Sequence, residues 1–174
     1  MSDETDAGGG LAPEDAAVVA AQLGRAPRGA VGVAHRCSCG LADVVRTAPR
    51  LPDGTPFPTT YYLTCPRAAS AIGTLEADGV MRDMTERLAD DPELAAGHAR
   101  AHEDYLSRRA ELGDVPEIDG VSAGGMPTRV KCLHVLVAHA LAAGPGVTPL
   151  GDEALAMLPD WGARGCCVEV PPAS

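Results

Sequence analysis

Aromatic residues are scarce in this chain, with one Trp, one Phe and three Tyr among 174 residues. A core must therefore come mainly from Ala, Val, Leu and Ile, each of which buries less area than an aromatic ring. Lysine is scarcer still: Lys131 is the single one, and the arginines nowhere form a dense run. With 24 acidic against 14 basic residues and a net charge of -10, the chain lacks the basic surface that nonspecific binding to nucleic acid or anionic lipid requires. No window approaches the ~18 apolar residues of a membrane-spanning helix. The opening Met-Ser-Asp-Glu-Thr-Asp-Ala-Gly-Gly-Gly has neither the basic nor the apolar part of a signal peptide. The expected location is the cytoplasm, where thiols stay reduced, so the six cysteines read as ligands, nucleophiles or core fillers. Also missing are a CxxC pair and the GxSxG, GxxxxGK and GxGxxG signatures, which removes the main support for nucleotide-hydrolase and dinucleotide-binding readings.

What is present suits one globular domain over residues 13–160. It is preceded by an acidic tail at 1–12, read as disordered, and followed by a weakly patterned, poorly ordered tail at 161–174. Pro13 and Gly24 bound a short helix. Alternating Val31, Val33 and His35, then Val44 and Val45, predict two strands joined as a hairpin by Cys37-Ser38-Cys39-Gly40. Residues 49–58 hold four prolines and an Asp-Gly turn, which makes them an ordered irregular loop or a mobile lid. A third strand is expected at 59–64, and helices at 66–79, 80–89, 93–112, 128–143 with Thr128 as its cap, and 152–158. The fold class is α+β: a small antiparallel sheet of about three strands covered by five or six helices.

Thiolate and imidazole are the ligands zinc prefers, and a structural site needs four of them in a tetrahedron. Cys37, Cys65, Cys132 and His134 supply such a set, with Cys39 as a competing fourth ligand. Two residues apart on an ideal helix, Cys132 and His134 would point ~200° apart, so both can bind only if the first turn is distorted. The competing reading is that these cysteines are small buried hydrophobes. The consecutive Cys166 and Cys167 read as a vicinal disulfide or as thiols without a role.

A second constellation lies on the long helix, where His98, His102, Tyr105, Arg108 and Arg109 follow a helical spacing. His102 as acid or base, Tyr105 as a second proton donor and Arg109 as a fixed cation would suit a small phosphate or carboxylate ligand. The bland alternative is a solvated helix face with Tyr105 half-buried. Gly124 and Gly125 before the helix at Thr128, with Arg129 and Lys131 beside them, form a candidate anion site at a helix N-terminus, or simply a flexible turn.

Leu51-Pro-Asp-Gly-Thr-Pro-Phe-Pro-Thr-Thr-Tyr-Tyr-Leu-Thr-Cys-Pro66, Ala101-His-Glu-Asp-Tyr105, Gly124-Gly125, Lys131-Cys-Leu-His134 and Pro149-Leu-Gly151 resemble an uncharacterised bacterial family, domain of unknown function five hundred and one. The resemblance runs over roughly residues 16–158. It implies no activity. In high-GC Gram-positive bacteria, genes of that family often lie beside those for a septum-formation initiator, enolase and an exopolyphosphatase, which implies an association with cell division. The family pattern is similar at Cys37, at Cys65 as cysteine or histidine, and at Cys132 and His134, an exchange that a metal site would tolerate. Two functions follow as expectations. The first is a zinc-stapled binding or regulatory module with a possible protein partner, and the second is an enzyme acting on a small anion through His102 and Arg109.

Overall fold

Successive residues of a strand face opposite sides of a sheet, and Val44 and Val45 show how this chain uses that rule: Val44 joins the larger core cluster and Val45 the smaller one. The computed structural model, which describes residues 10–170, places both on β2 (Ala42–Thr47). The expected hairpin joins β2 antiparallel to β1 (Ala30–Arg36), and β3 (Tyr61–Leu63) pairs antiparallel with the other edge of β2. The hairpin turn is closed by Cys37 N–H donating to Leu41 O and Gly40 N–H to Cys37 O, both at 2.8 Å. Gly40 has φ 95°, a conformation that a side chain would strain.

One face of the sheet is covered by α1 (Pro13–Leu23), through Val19 against Ala42 and Val45. The other face receives α5 (Leu133–Ala143), whose Leu133, Val135, Leu136, Val137, Ala138 and Ala140 are all buried. A helix apolar nearly all round must be enclosed on every side. The enclosure is completed by α2 (Pro66–Ala77), α3 (Val80–Asp90), α4 (Pro92–Ala110) and α6 (Pro149–Ala156). Among the described residues this makes an α+β fold of three strands and six helices, with one extra 3₁₀ turn at Pro116–Ile118.

Two helix starts differ from the sequence expectation. α5 begins at Leu133 rather than Thr128, because residues 124–131 fold back on themselves. Gly125 O accepts from Arg129 N–H at 3.1 Å, and Gly124 O from Lys131 N–H at 2.7 Å. α6 begins at Pro149, ahead of Asp152, since Thr148 caps it and proline suits its first turn.

The loop at 49–58 is ordered. Arg28 pairs with Asp53 at 2.9 Å, Arg50 grips Glu117 through two bonds of 2.9 and 2.7 Å, and Phe57 N–H donates to Pro49 O at 2.8 Å. Of the segment 161–174, expected as a poorly ordered tail, residues 171–174 lie outside the described residues, and within 161–170 two hydrogen bonds reach the body. Trp161 Nε1–H donates to Asp43 at 3.2 Å, and Arg67 donates to Gly165 O at 2.9 Å. Composition could not foresee this, because the partners, Asp43 and Arg67, lie far away in sequence. Most of the expected acidic tail lies outside the described residues, while Leu11 is half-buried against the cluster around Val19.

Candidate metal centre

The late start of α5 settles the orientation problem posed by Cys132 and His134. Cys132 is the residue before the helix, in extended backbone (φ -152°, ψ 111°), so its side chain is not bound by the helical rotation between them. Glu76, near the end of α2, comes to meet both. One ligand atom each from Glu76, Cys132 and His134 lie within 4.8 Å of one another, and all three residues are half-buried.

The carboxylate of Glu76 does two things there. Its Oε1 accepts from Leu133 N–H at 2.8 Å, capping a helix that has no cap of its own, and accepts from His134 Nδ1–H at 3.1 Å. His134 Nε2–H donates to Ala69 O at 3.2 Å. Both partners of the ring are pure acceptors, so the metal-free site satisfies them best with a doubly protonated imidazolium. The neighbouring Cys132 sulfur and then the charge on Glu76 hold this imidazole up at about 9, against the lowering effect of burial.

The same arrangement suits a metal. A ligating histidine commonly donates its second ring N–H to a backbone carbonyl, as His134 does to Ala69, which leaves Nδ1 to face the ion. Sulfur, imidazole nitrogen and carboxylate oxygen are all zinc donors, and three protein ligands leave a fourth position open.

The expected convergence of Cys37 and Cys65 on this point does not occur. Among the described residues, Glu76, Cys132 and His134 are the only such group of three or more. Cys65 precedes the first turn of α2 and Glu76 lies near its last, so roughly 16 Å of helical rise separates them. The Cys65 thiol is buried beside Cys167, and burial pushes it up to about 11. Cys37 and Cys39 stay in the hairpin turn, where burial also raises both thiols. A Cβ on Gly162 would overlap Ser38 Oγ and Cys37 Sγ, so this corner is closely packed.

His102, Tyr105 and Arg109 share one face of α4 and all are buried. Their polar atoms hold other parts of the chain. His102 Nδ1 bonds Ser122 Oγ at 2.7 Å, the Tyr105 oxygen accepts from Thr60 N–H at 2.7 Å and Tyr61 N–H at 3.3 Å, and Arg109 donates to Pro58 O at 3.3 Å and Ile118 O at 2.8 Å. Burial raises the Tyr105 phenol to about 12, so it stays protonated. Of the anion candidates, Gly125, Arg129 and Lys131 line one shallow depression with Ser122, and Gly124, outside that lining, approaches Val135 closely. No helix starts there, and the Arg129 and Lys131 amides are taken by Gly125 O and Gly124 O.

Sequence reading missed Glu76, which stands in α2 without any local signal. It also missed His139, fully buried, which donates from Nε2 to Asp104 at 2.8 Å and packs against the rings of Tyr61 and Tyr105. A third omission is Asp43, buried between His35 Nδ1 at 2.7 Å and Trp161.

No helix among the described residues is long and apolar enough to cross a membrane. No curated protein and no solved structure matches the chain. Residues 33–156 match the model of one family, described as protein of unknown function (DUF501), and the chain belongs to that family.

Proposed function

We propose that this protein is a metal-binding module in which one zinc ion, held by Glu76, Cys132 and His134, staples the end of α2 to the start of α5. The observation that carries the reading is the meeting of carboxylate, thiol and imidazole within 4.8 Å, with His134 already oriented by Ala69 O. Zinc would replace the proton on Nδ1 and fix the loop at 124–131 against α2. The open fourth position takes water or a donor atom from a binding partner, which is how such a module would regulate or recognise.

The alternative is an enzyme acting on a small anion through His102 and Arg109. It draws less support, because the Arg109 guanidinium and the Tyr105 hydroxyl hold backbone, and His102 is tied to Ser122.

Elemental analysis of the purified full chain should find about one zinc per chain. Cobalt substitution should give the charge-transfer absorption of a cobalt–thiolate bond. Both signals should vanish in Cys132→Ser and in His134→Gln, and both should survive in Cys37→Ser. A full chain that binds no zinc in titration, or one whose zinc is lost in Cys37→Ser and kept in Cys132→Ser, overturns the assignment.

A further inference from the structure

Five of the six cysteines lie outside the candidate metal centre, and they gather where the C-terminal segment meets the sheet. Cys166 and Cys167 are consecutive, yet their sulfurs turn to different neighbours. Cys166 Sγ donates to Cys39 O at 3.4 Å, and its thiol stands beside that of Cys39. Cys167 Sγ accepts from Gln22 Nε2–H at 3.5 Å, and its thiol stands beside that of Cys65. One partner belongs to the hairpin turn and the other to the junction between β3 and α2. The segment is already held at this place by Trp161 on Asp43 and by Arg67 on Gly165 O. A vicinal disulfide would have to pull both sulfurs away from these neighbours.

We propose that Cys166 and Cys167 form an oxidative modification site whose two thiols close separate disulfides, Cys39–Cys166 and Cys65–Cys167, under a peroxide oxidant. Of each pair, the C-terminal member reacts first. Burial raises the thiols of Cys39 and Cys65, and a thiol held protonated is a poor nucleophile towards peroxide. The thiolate of Cys166 or Cys167 attacks a peroxide oxygen, the O–O bond breaks, a sulfenic acid forms, and the leaving hydroxide takes up the proton released from that thiol to give the first water. The facing thiol then loses its proton and attacks the sulfenic sulfur. The S–S bond forms, the S–O bond breaks, and the leaving hydroxide takes up the proton as a second water. Each disulfide thus oxidises two thiols and reduces one peroxide to two waters. The product ties residues 161–168 covalently to the sheet.

The test treats the full chain with hydrogen peroxide, blocks the remaining thiols and digests with trypsin without reductant. Peptide 165–174 should then be recovered linked to both 37–46 and 51–67. The intact mass should fall by about 4 Da, two hydrogens for each bond. Cys132, outside the cluster, should remain open to alkylation. In Cys166→Ser only the link to 51–67 should persist, and in Cys167→Ser only the link to 37–46, each with a loss of about 2 Da. The proposal is overturned if 165–174 carries an internal Cys166–Cys167 bond, if the links join separate chains, or if the cysteines stay reduced or pass to sulfinic acid without a cross-link.

Discussion

Glu76 and His134 are 58 residues apart in the chain, and their side chains meet at 3.1 Å. The same carboxylate oxygen caps the first amide of α5. One acidic residue on α2 therefore sets where the central helix begins, orients the histidine of the candidate metal centre and completes its donor set. If the proposed zinc binds there, stability and metal affinity are coupled through this oxygen.

Glu76→Gln separates the two roles. An amide oxygen can still accept from Leu133 N–H, but it carries no charge and is a weak metal ligand. The expected cost is about 1 kcal/mol of stability in the metal-free chain, typical of losing a charged group at a helix N-terminus. Stabilisation by added zinc should be lost altogether. Urea unfolding with and without zinc measures both, and equal zinc stabilisation in the variant would remove Glu76 from the ligand set.

Zinc affinity should rise steeply with pH. The imidazole of His134 holds its proton up to about 9 in the absence of metal, and the ion must displace that proton. From this group alone, affinity should grow about tenfold per pH unit below that value. Competition against a chelator of known affinity at several pH values tests the slope. A flat profile would mean that His134 is not a ligand.

The metal-free chain should be most stable near neutrality. His134 is raised by its fold, so its contribution is complete below the ordinary histidine value of 6.5 and is lost as pH climbs through about 9. His98 and His139 are shifted the other way, chiefly by burial, and the Nδ1 atom of each has no hydrogen-bond partner to receive a second N–H. Below 6.5 the unfolded chain takes up protons that these two buried rings resist, so stability falls with acidification. Thermal midpoints measured across the range should trace a dome, and His139→Gln should soften its acid side. Monotonic stability through neutral pH would contradict the opposing shifts.

Tyr105→Phe should cost about 1–3 kcal/mol, because it strips the acceptor from two buried amides, those of Thr60 and Tyr61. Its ring would still pack edge-on against Tyr61 and His139. The loss should appear as a lower midpoint in urea with an unchanged slope. A change in zinc binding without a stability loss would point instead to a functional role for this face.

Much of this protein follows from signals within a few residues of each other. Pro13 with Gly24 delimits α1, alternating valines make the hairpin, and Asp91-Pro92 starts α4, because caps, turns and side-chain alternation act over short range. Cys132 and His134 stood out by residue type, and the fold does bring them together. What the chain itself could not disclose was their partner. Glu76 looks like any polar residue near the end of a surface helix until α5 is laid against α2. The start of α5 was hidden for the same reason: its cap comes from another helix, and the amides before it bond within a loop whose shape depends on packing. The His102, Tyr105 and Arg109 stripe was equally readable as a row of residues, yet only tertiary packing gave Tyr105 and Arg109 their backbone partners and His102 the hydroxyl of Ser122. Local sequence determined which segments are helix or strand and which residues carry reactive chemistry. Tertiary structure decided which of those residues meet, since contacts between groups tens of residues apart depend on how the elements pack and leave no periodicity in the chain.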